Sequence, residues 1–377
     1  MKKIILFIIA VLFVSCKKDR VIVPAHDQVS YSKEMLLGNW AIYDTVKRHL
    51  RFDKRGFEFF DNDTCEFKLG FTDEKRYEND TVTDRDNKVH YSLGNLTKYI
   101  LNKEILKIYN LSYKRWDTYK IRKLSNDTLV IGWNKSWTTF VKKRYDVKKV
   151  PDFDSVIVSS SICFGACPMV SIMISKDGYV SYNGSYHTSA KGDYTSKISK
   201  KEFNEIALRF KRANYFMLKE SYNTAVTDSR TVSVLFIKDG KIVKSVEDYA
   251  SSSPDEFTWA YNPVILLYQS LNLVKEHLPD YTKPEFMMSH FKSKTNYLDL
   301  TDAETYYLVN LVKKGKEGNF SFSESYDWKY KNDAVNRVSS DGRYYKFQLK
   351  DKTTRTFDIG YNFITDNKFV NKIENIK

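Results

Sequence analysis

Glycine and proline are scarce in this chain, 14 and 7 among 377 residues, while Tyr (27) and Phe (24) are abundant. That balance argues against disorder and for aromatic-rich β structure. Cysteine is scarcer still, with four residues. Cys65 and the six histidines (26, 49, 90, 187, 277, 290) show no metal-ligand spacing, so no metal site is expected. There is no Gly-x-Ser-x-Gly, no glycine-rich phosphate loop and no His-Glu-x-x-His. Carboxylates occur everywhere in so charged a chain, so no two of them single themselves out as acid and base. The expectation is a protein without catalysis and without a cofactor. The apolar run at residues 4–14 falls far short of the ~20 residues a helix needs to span a bilayer.

That short run has a setting of its own. Lys2 and Lys3 precede it, and Phe13-Val14-Ser15-Cys16 ends it, which is the layout of a secretory leader. The ending resembles the lipobox of bacterial lipoproteins, with Phe13 where Leu is commoner. The resemblance implies removal of residues 1–15 and attachment of acyl chains, such as palmitate, to Cys16. An ordinary signal peptide with an incidental Cys16 is the alternative. Each buried methylene of an acyl chain contributes ~0.8 kcal/mol, and more than one chain makes anchoring stable. The string Cys16-Lys17-Lys18-Asp19 resembles the starts of Bacteroidota lipoproteins. Lys17 stands where an aspartate would favour inner-membrane retention, which implies the outer membrane and leaves its face open. Residues 16–30 then read as a polar tether containing Pro24.

A chain of this length is expected to hold two or three domains. Its formal charge is +14, with lysines spread evenly rather than clustered. An envelope address favours anionic lipid or polysaccharide over nucleic acid as a partner, and a basic surface with no specific partner remains the plainer account. The fold class expected is α+β multidomain: an N-terminal antiparallel barrel, a middle α+β domain of hairpins with two helices, and a small C-terminal α+β module.

Residues 31–144 read as a meander of about eight short strands. Gly56-Phe57-Glu58-Phe59-Phe60 runs into the turn Asp61-Asn62-Asp63-Thr64, and Cys65-Glu66-Phe67-Lys68-Leu69 returns. Even spacing with polar turns indicates an antiparallel barrel or sandwich. Leu36-Leu37-Gly38-Asn39-Trp40 at the first strand, with the late Lys120-Ile121-Arg122-Lys123-Leu124 and Thr128-Leu129-Val130-Ile131, resembles the lipocalin-like domains of bacterial lipoproteins. Gly38 and Trp40 are the motif residues, and the resemblance implies that Trp40 closes the barrel bottom. An eight-strand barrel has room for one small ligand or is filled by its own side chains.

The character changes near Val150, after a basic run, and residues 152–275 form the next unit. Residues 155–161 and 169–175 read as strands, Ser199-Lys200-Lys201-Glu202 as a capping box opening a helix to about Ala213, and residues 254–273 as a second helix. Cys163-Phe164-Gly165-Ala166-Cys167-Pro168, with the Gly178 hairpin ending at Gly184 and with Tyr222 and Thr227-Asp228, resembles a Bacteroidota domain of unknown function. That resemblance implies a fold and no activity. In an oxidising compartment Cys163 and Cys167, four apart around Gly165, read first as a structural disulfide. A redox pair would prefer Cys-x-x-Cys at a helix start, where the thiolate is stabilised.

Residues 276–294 read as linker and 295–377 as the third unit. Thr301-Asp302-Ala303-Glu304 caps a helix, and strands are expected at 320–326, 343–349 and 355–361. Trp328, Tyr330, Tyr344 and Tyr345 are candidates for stacking on sugars or for the core. Together these readings give an envelope lipoprotein held to the outer membrane through Cys16, binding a small apolar ligand, a glycan or a protein partner. The alternatives are a structural or assembly lipoprotein and a thiol enzyme using Cys163 and Cys167. A ligand binder predicts an apolar cavity behind Trp40, and a scaffold predicts a filled barrel.

Overall fold

The computed structural model describes residues 30–43, 54–73, 89–133, 136–283, 289–330 and 332–376. Cys16, the leader and most of the tether lie outside the described residues. The first unit opens with a one-turn helix, α1 (Lys33–Leu36). Eight strands follow: β1 (Gly38–Ile42), β2 (Gly56–Phe59), β3 (Thr64–Asp73), β4 (Tyr91–Asn102), β5 (Ile105–Asn110), β6 (Arg115–Leu124), β7 (Thr128–Trp133) and β8 (Ser136–Lys143). Each pairs antiparallel with the next, and β8 returns to β1 with Trp40 opposite Lys142. The closed eight-strand barrel fits a lipocalin-like fold. Alternation decides which side chains go in: Phe57 and Phe59 point inward while Glu58 between them points out.

The second unit is an eight-stranded sheet. Its strands are β9 (Ser155–Ser160), β10 (Val170–Ser175), β11 (Tyr179–Gly184), β12 (Gly192–Lys197), β13 (Ser221–Tyr222), β14 (Thr231–Lys238), β15 (Lys241–Tyr249) and β16 (Val274–Lys275). They lie in the order β13-β15-β14-β9-β10-β11-β12-β16. Two helices, α2 (Lys200–Arg212) and α3 (Asp255–Ile265), cover one face, where Val156, Val158, Ile172, Val234 and Phe236 make a core with Phe210 and Phe257. The Ser199–Glu202 capping box forms as the sequence indicates. The second helix stops at Ile265, short of residue 273, because the chain turns at Leu266 and stacks Tyr268 on Tyr182 at 4.8 Å.

The third unit is a second eight-stranded sheet. It contains β17 (Ser289–Lys292), β18 (Asn296–Leu300), β19 (Lys316–Glu317), β20 (Tyr326–Tyr330), β21 (Val335–Ser340), β22 (Tyr344–Leu349), β23 (Thr354–Asp358) and β24 (Glu374–Asn375). Between β18 and β19 runs α4 (Asp302–Lys314), opened by the Thr301–Glu304 capping box, and a one-turn α5 (Phe363–Asp366) follows β23. Strand β17 falls in the stretch read from sequence as linker, and β20 begins where the strand expected at 320–326 would end. Trp328 and Tyr345 are buried in this core rather than offered to sugars, with the Trp328 Nε1 donating to Ser289 Oγ at 3.0 Å. Tyr330 and Tyr344 are half-buried.

Helix α4 fixes how the last two units fit together. Ile157, Met173, Leu235 and Ile237, from the reverse face of the middle sheet, share one core with Ala303, Tyr306, Tyr307, Phe291 and Trp328. The helix is therefore buried nearly all round, with Glu304, Thr305 and Asn310 enclosed beside its apolar residues. The layers run barrel wall, α2 and α3, middle sheet, α4, C-terminal sheet. The result is a mostly β, multidomain α+β protein.

Candidate ligand cavity in the barrel

The two ends of the barrel are built differently. At the end carrying α1, Trp40 is fully buried and its Nε1 donates to the Leu36 carbonyl at 2.7 Å. Lys142 Nζ lies 4.8 Å from the centre of the Trp40 ring and donates to the Met35 carbonyl at 2.9 Å. Burial, and then Arg144, lower the Lys142 pKa. Gly38 enters the first strand at φ 106°, a conformation that favours glycine. Above Trp40, Phe59 and Tyr99 meet edge to face at 5.1 Å, and the Tyr99 hydroxyl donates to the Phe60 carbonyl at 2.8 Å. Cys65 is buried here as a free thiol, pushed up to about 12 by burial and by Glu66. This half of the barrel is packed.

The opposite half holds a cavity of about 480 Å³. Phe57, Phe67, Phe71 and Phe140 wall it with Ile108 and Ile131. The phenyl rings pack on one another, Phe57 with Phe67 at 5.4 Å, Phe67 with Phe71 at 5.2 Å and Phe57 with Phe140 at 5.7 Å. Polar groups line it as well. Asn110 Nδ2 donates to Asp117 Oδ2 at 2.8 Å, and Arg115 Nε reaches Asp117 Oδ1 at 3.3 Å. Tyr119 also lines the space, and burial, then Asp117, raise its pKa, so its hydroxyl stays a donor. Arg55, Ser136 and Thr138 complete the lining. A volume of this size, with apolar rings and convergent polar groups in its lining, has the form of a small-molecule site.

Trp40 is buried at the α1 end of the barrel, and the cavity is at the far end from it. The sequence reading named none of the lining residues. Strand alternation marks Phe57, Phe67 and Phe140 as inward-facing, yet which inward residues meet across the barrel depends on shear and bulges. One such irregularity in β3–β4 pairing lies between Glu66 and Phe71.

Cys163 and Cys167 are joined in a disulfide, with Cα atoms 5.5 Å apart, in the loop between β9 and β10. Phe164 at its tip is 76% exposed. The bridge does not line the cavity. Among the described residues, no group of three or more His, Cys, Asp or Glu side chains is placed to hold a metal ion. No helix among the described residues is long and apolar enough to cross a membrane.

Residues 154–268 match the family described as Domain of unknown function (DUF6438), so the middle sheet with α2 and α3 is a domain of that kind. No curated protein matches the chain. Two solved structures align over much of its length at low similarity. One is the H. pylori beta clamp in complex with diflunisal, at 9% identity and TM-score 0.12, covering 70% of this chain and 88% of that one. The other is the DNA polymerase III subunit beta from Pseudomonas aeruginosa, at 6% identity and TM-score 0.14, covering 87% and 94%. Likeness at that level carries neither fold nor function.

Proposed function

We propose that this protein is a non-catalytic lipoprotein of the cell envelope that binds one small, mainly apolar ligand in its barrel. The observation that carries the ligand reading is the phenyl-walled cavity of about 480 Å³ with polar groups at Asn110, Asp117 and Tyr119. An apolar body would lie against Phe57, Phe67, Phe71 and Phe140, and a polar end group would reach the Asp117 side. The leader at residues 1–15 and the string Cys16-Lys17-Lys18-Asp19 support an acylated Cys16, attachment to the outer membrane and a Bacteroidota-type origin. The Cys163–Cys167 bridge agrees with an oxidising compartment.

Native mass spectrometry of protein purified gently from its own envelope tests both parts. The expected result is an extra mass that leaves on denaturation, and an acyl mass that remains on Cys16. Thr138→Trp places an indole in the cavity from a half-buried lining position. That variant is expected to fold with the wild-type melting temperature and to lose the extra mass. Wild-type protein that is bare in every preparation would overturn the ligand reading, and an unmodified Cys16 would overturn the anchor.

A further inference from the structure

The barrel turns two unlike walls outward. The wall of β1 to β3 is covered: Gly56 has no room for a side chain because the Trp259 ring would lie 2.5 Å from its Cβ, and Glu58 and Glu66 bond to Arg212 and Arg209 of α2. Among the described residues, the wall of β4 to β8 is met by the middle unit only at its ends, at Ser92 and Lys143, and between them it is apolar at intervals. Leu96, Ile100, Trp116 and Trp137 are 58%, 47%, 39% and 41% exposed. An ordinary outer strand face would carry polar residues at these positions.

Between the apolar groups stand exposed cations, Lys98, Lys107, Lys120 and Arg122. Strand register brings them together. Ile100 is opposite Lys107, Tyr109 is opposite Trp116 with rings 5.4 Å apart, and Lys120 connects through Gly132 to Trp137. The Arg122 guanidinium lies 5.6 Å from the centre of the Trp137 ring. Glu104 meets this group at Lys120, 3.3 Å away, and the Asp117 carboxylate faces the cavity instead. The wall is therefore cationic, with indole rings and branched aliphatic side chains on the same surface.

We propose that the β4–β8 wall docks on an anionic lipid surface. Lys and Arg draw such a wall to acidic headgroups, each by a modest amount that falls away within a Debye length. Trp and Tyr settle at headgroup depth, where a ring is half in contact with hydrocarbon and its N–H or O–H still meets water. Leu96 and Ile100 add apolar area to the same contact. A protein partner would be expected to want a flatter apolar patch with fewer cations. The docking needs no acyl chain. Where Cys16 is acylated as proposed above, residues 17–29 span at most about 45 Å, enough to bring the wall to the membrane that holds the anchor.

The test uses the chain from residue 17 onward, which lacks both the apolar leader and Cys16 and retains every residue of the barrel core. It is mixed with vesicles of phosphatidylcholine alone, or of phosphatidylcholine with phosphatidylglycerol. Co-sedimentation with the anionic vesicles only, weakened by salt, is expected. Brominated lipid should quench tryptophan emission, because Trp116 and Trp137 are exposed while Trp40, Trp259 and Trp328 are buried. The triple substitution Lys98→Glu, Lys107→Glu and Lys120→Glu should weaken binding by roughly tenfold or more. Trp116→Phe should reduce quenching while leaving the far-ultraviolet spectrum unchanged. Equal binding to both vesicles, no binding to either, or anionic binding that survives the triple substitution would each overturn the proposal. So would retention on an anionic polysaccharide without retention on vesicles. These outcomes are independent of whether Cys16 is acylated or the cavity filled.

Discussion

Asp302 shows how one carboxylate sets a pH dependence. It is the first residue of α4, where the helix N-terminus favours negative charge. Desolvation outweighs that, and with the repulsion of Glu247 it raises the pKa to about 6. Glu247 is itself raised, by burial and then by Glu304, with Lys372 opposing. An unfolded aspartate titrates near ~3.9, so the folded protein holds this proton more tightly than the unfolded chain does. The contribution is stabilising below pH ~4 and disappears as pH rises through about 6. Asp302→Asn keeps the shape without the charge. Urea titrations should show the variant gaining about 2 kcal/mol on the wild type between pH 4 and pH 8. Parallel curves across that range would show that Asp302 is ordinary. Nothing in the sequence announces this: Thr301-Asp302-Ala303-Glu304 reads as a capping box, which it is, and the charge that faces Asp302 is Glu247, more than fifty residues earlier.

At the scale of elements, the local signals were legible and the long-range ones were not. Both capping boxes form, and the Asp61-Asn62-Asp63 turn joins β2 to β3 with Asn62 Oδ1 accepting from Thr64. Those motifs are made by neighbours in sequence, so composition suffices to find them. The end of α3 depends instead on Tyr268 reaching Tyr182, a contact 86 residues apart, and β20 starts at Tyr326, where the expected strand would end. The half-hollow barrel belongs to the same group, since cross-barrel contacts decide it. The Cys163–Cys167 loop is a local element with Phe164 exposed at its tip. Closing a loop this short removes little entropy from the unfolded chain, about 2 kcal/mol. Cys163→Ser with Cys167→Ser should therefore lower stability by no more than that, and leave ligand mass and vesicle binding as they are. A double variant that loses ligand or membrane binding while remaining folded would reopen a working role for the thiols.

Over the whole molecule the question is what couples the barrel to the two sheets. Apolar burial does this between the sheets, through α4. Between barrel and body the work falls largely to charge. Lys68 Nζ donates to Glu58 Oε2 and to Glu66 Oε2, both at 2.6 Å, and those carboxylates also accept from Arg212 and Arg209 of α2. Burial alone would raise both glutamate pKa values, but Lys68 with Arg212 at Glu58, and Lys68 with Arg209 at Glu66, outweigh it and lower them. Around this network, Lys54 pairs with Asp255 at 3.0 Å, Lys143 with Glu256 at 2.9 Å, and Trp259 Nε1 donates to the Lys54 carbonyl at 2.6 Å. Buried ion pairs add little net stability compared with apolar packing, because desolvation offsets their attraction. Removing the shared cation is a different matter, since Glu58 and Glu66 then lie side by side with only Arg212 and Arg209 to balance them. Lys68→Met should therefore cost about 3–5 kcal/mol, concentrated at this one interface. Scanning calorimetry would show the consequence: the barrel melting first and apart from the two sheets, which remain joined through α4. One cooperative transition at the wild-type midpoint would mean that apolar contacts such as Trp259 on Gly56 hold the barrel without help from the charges.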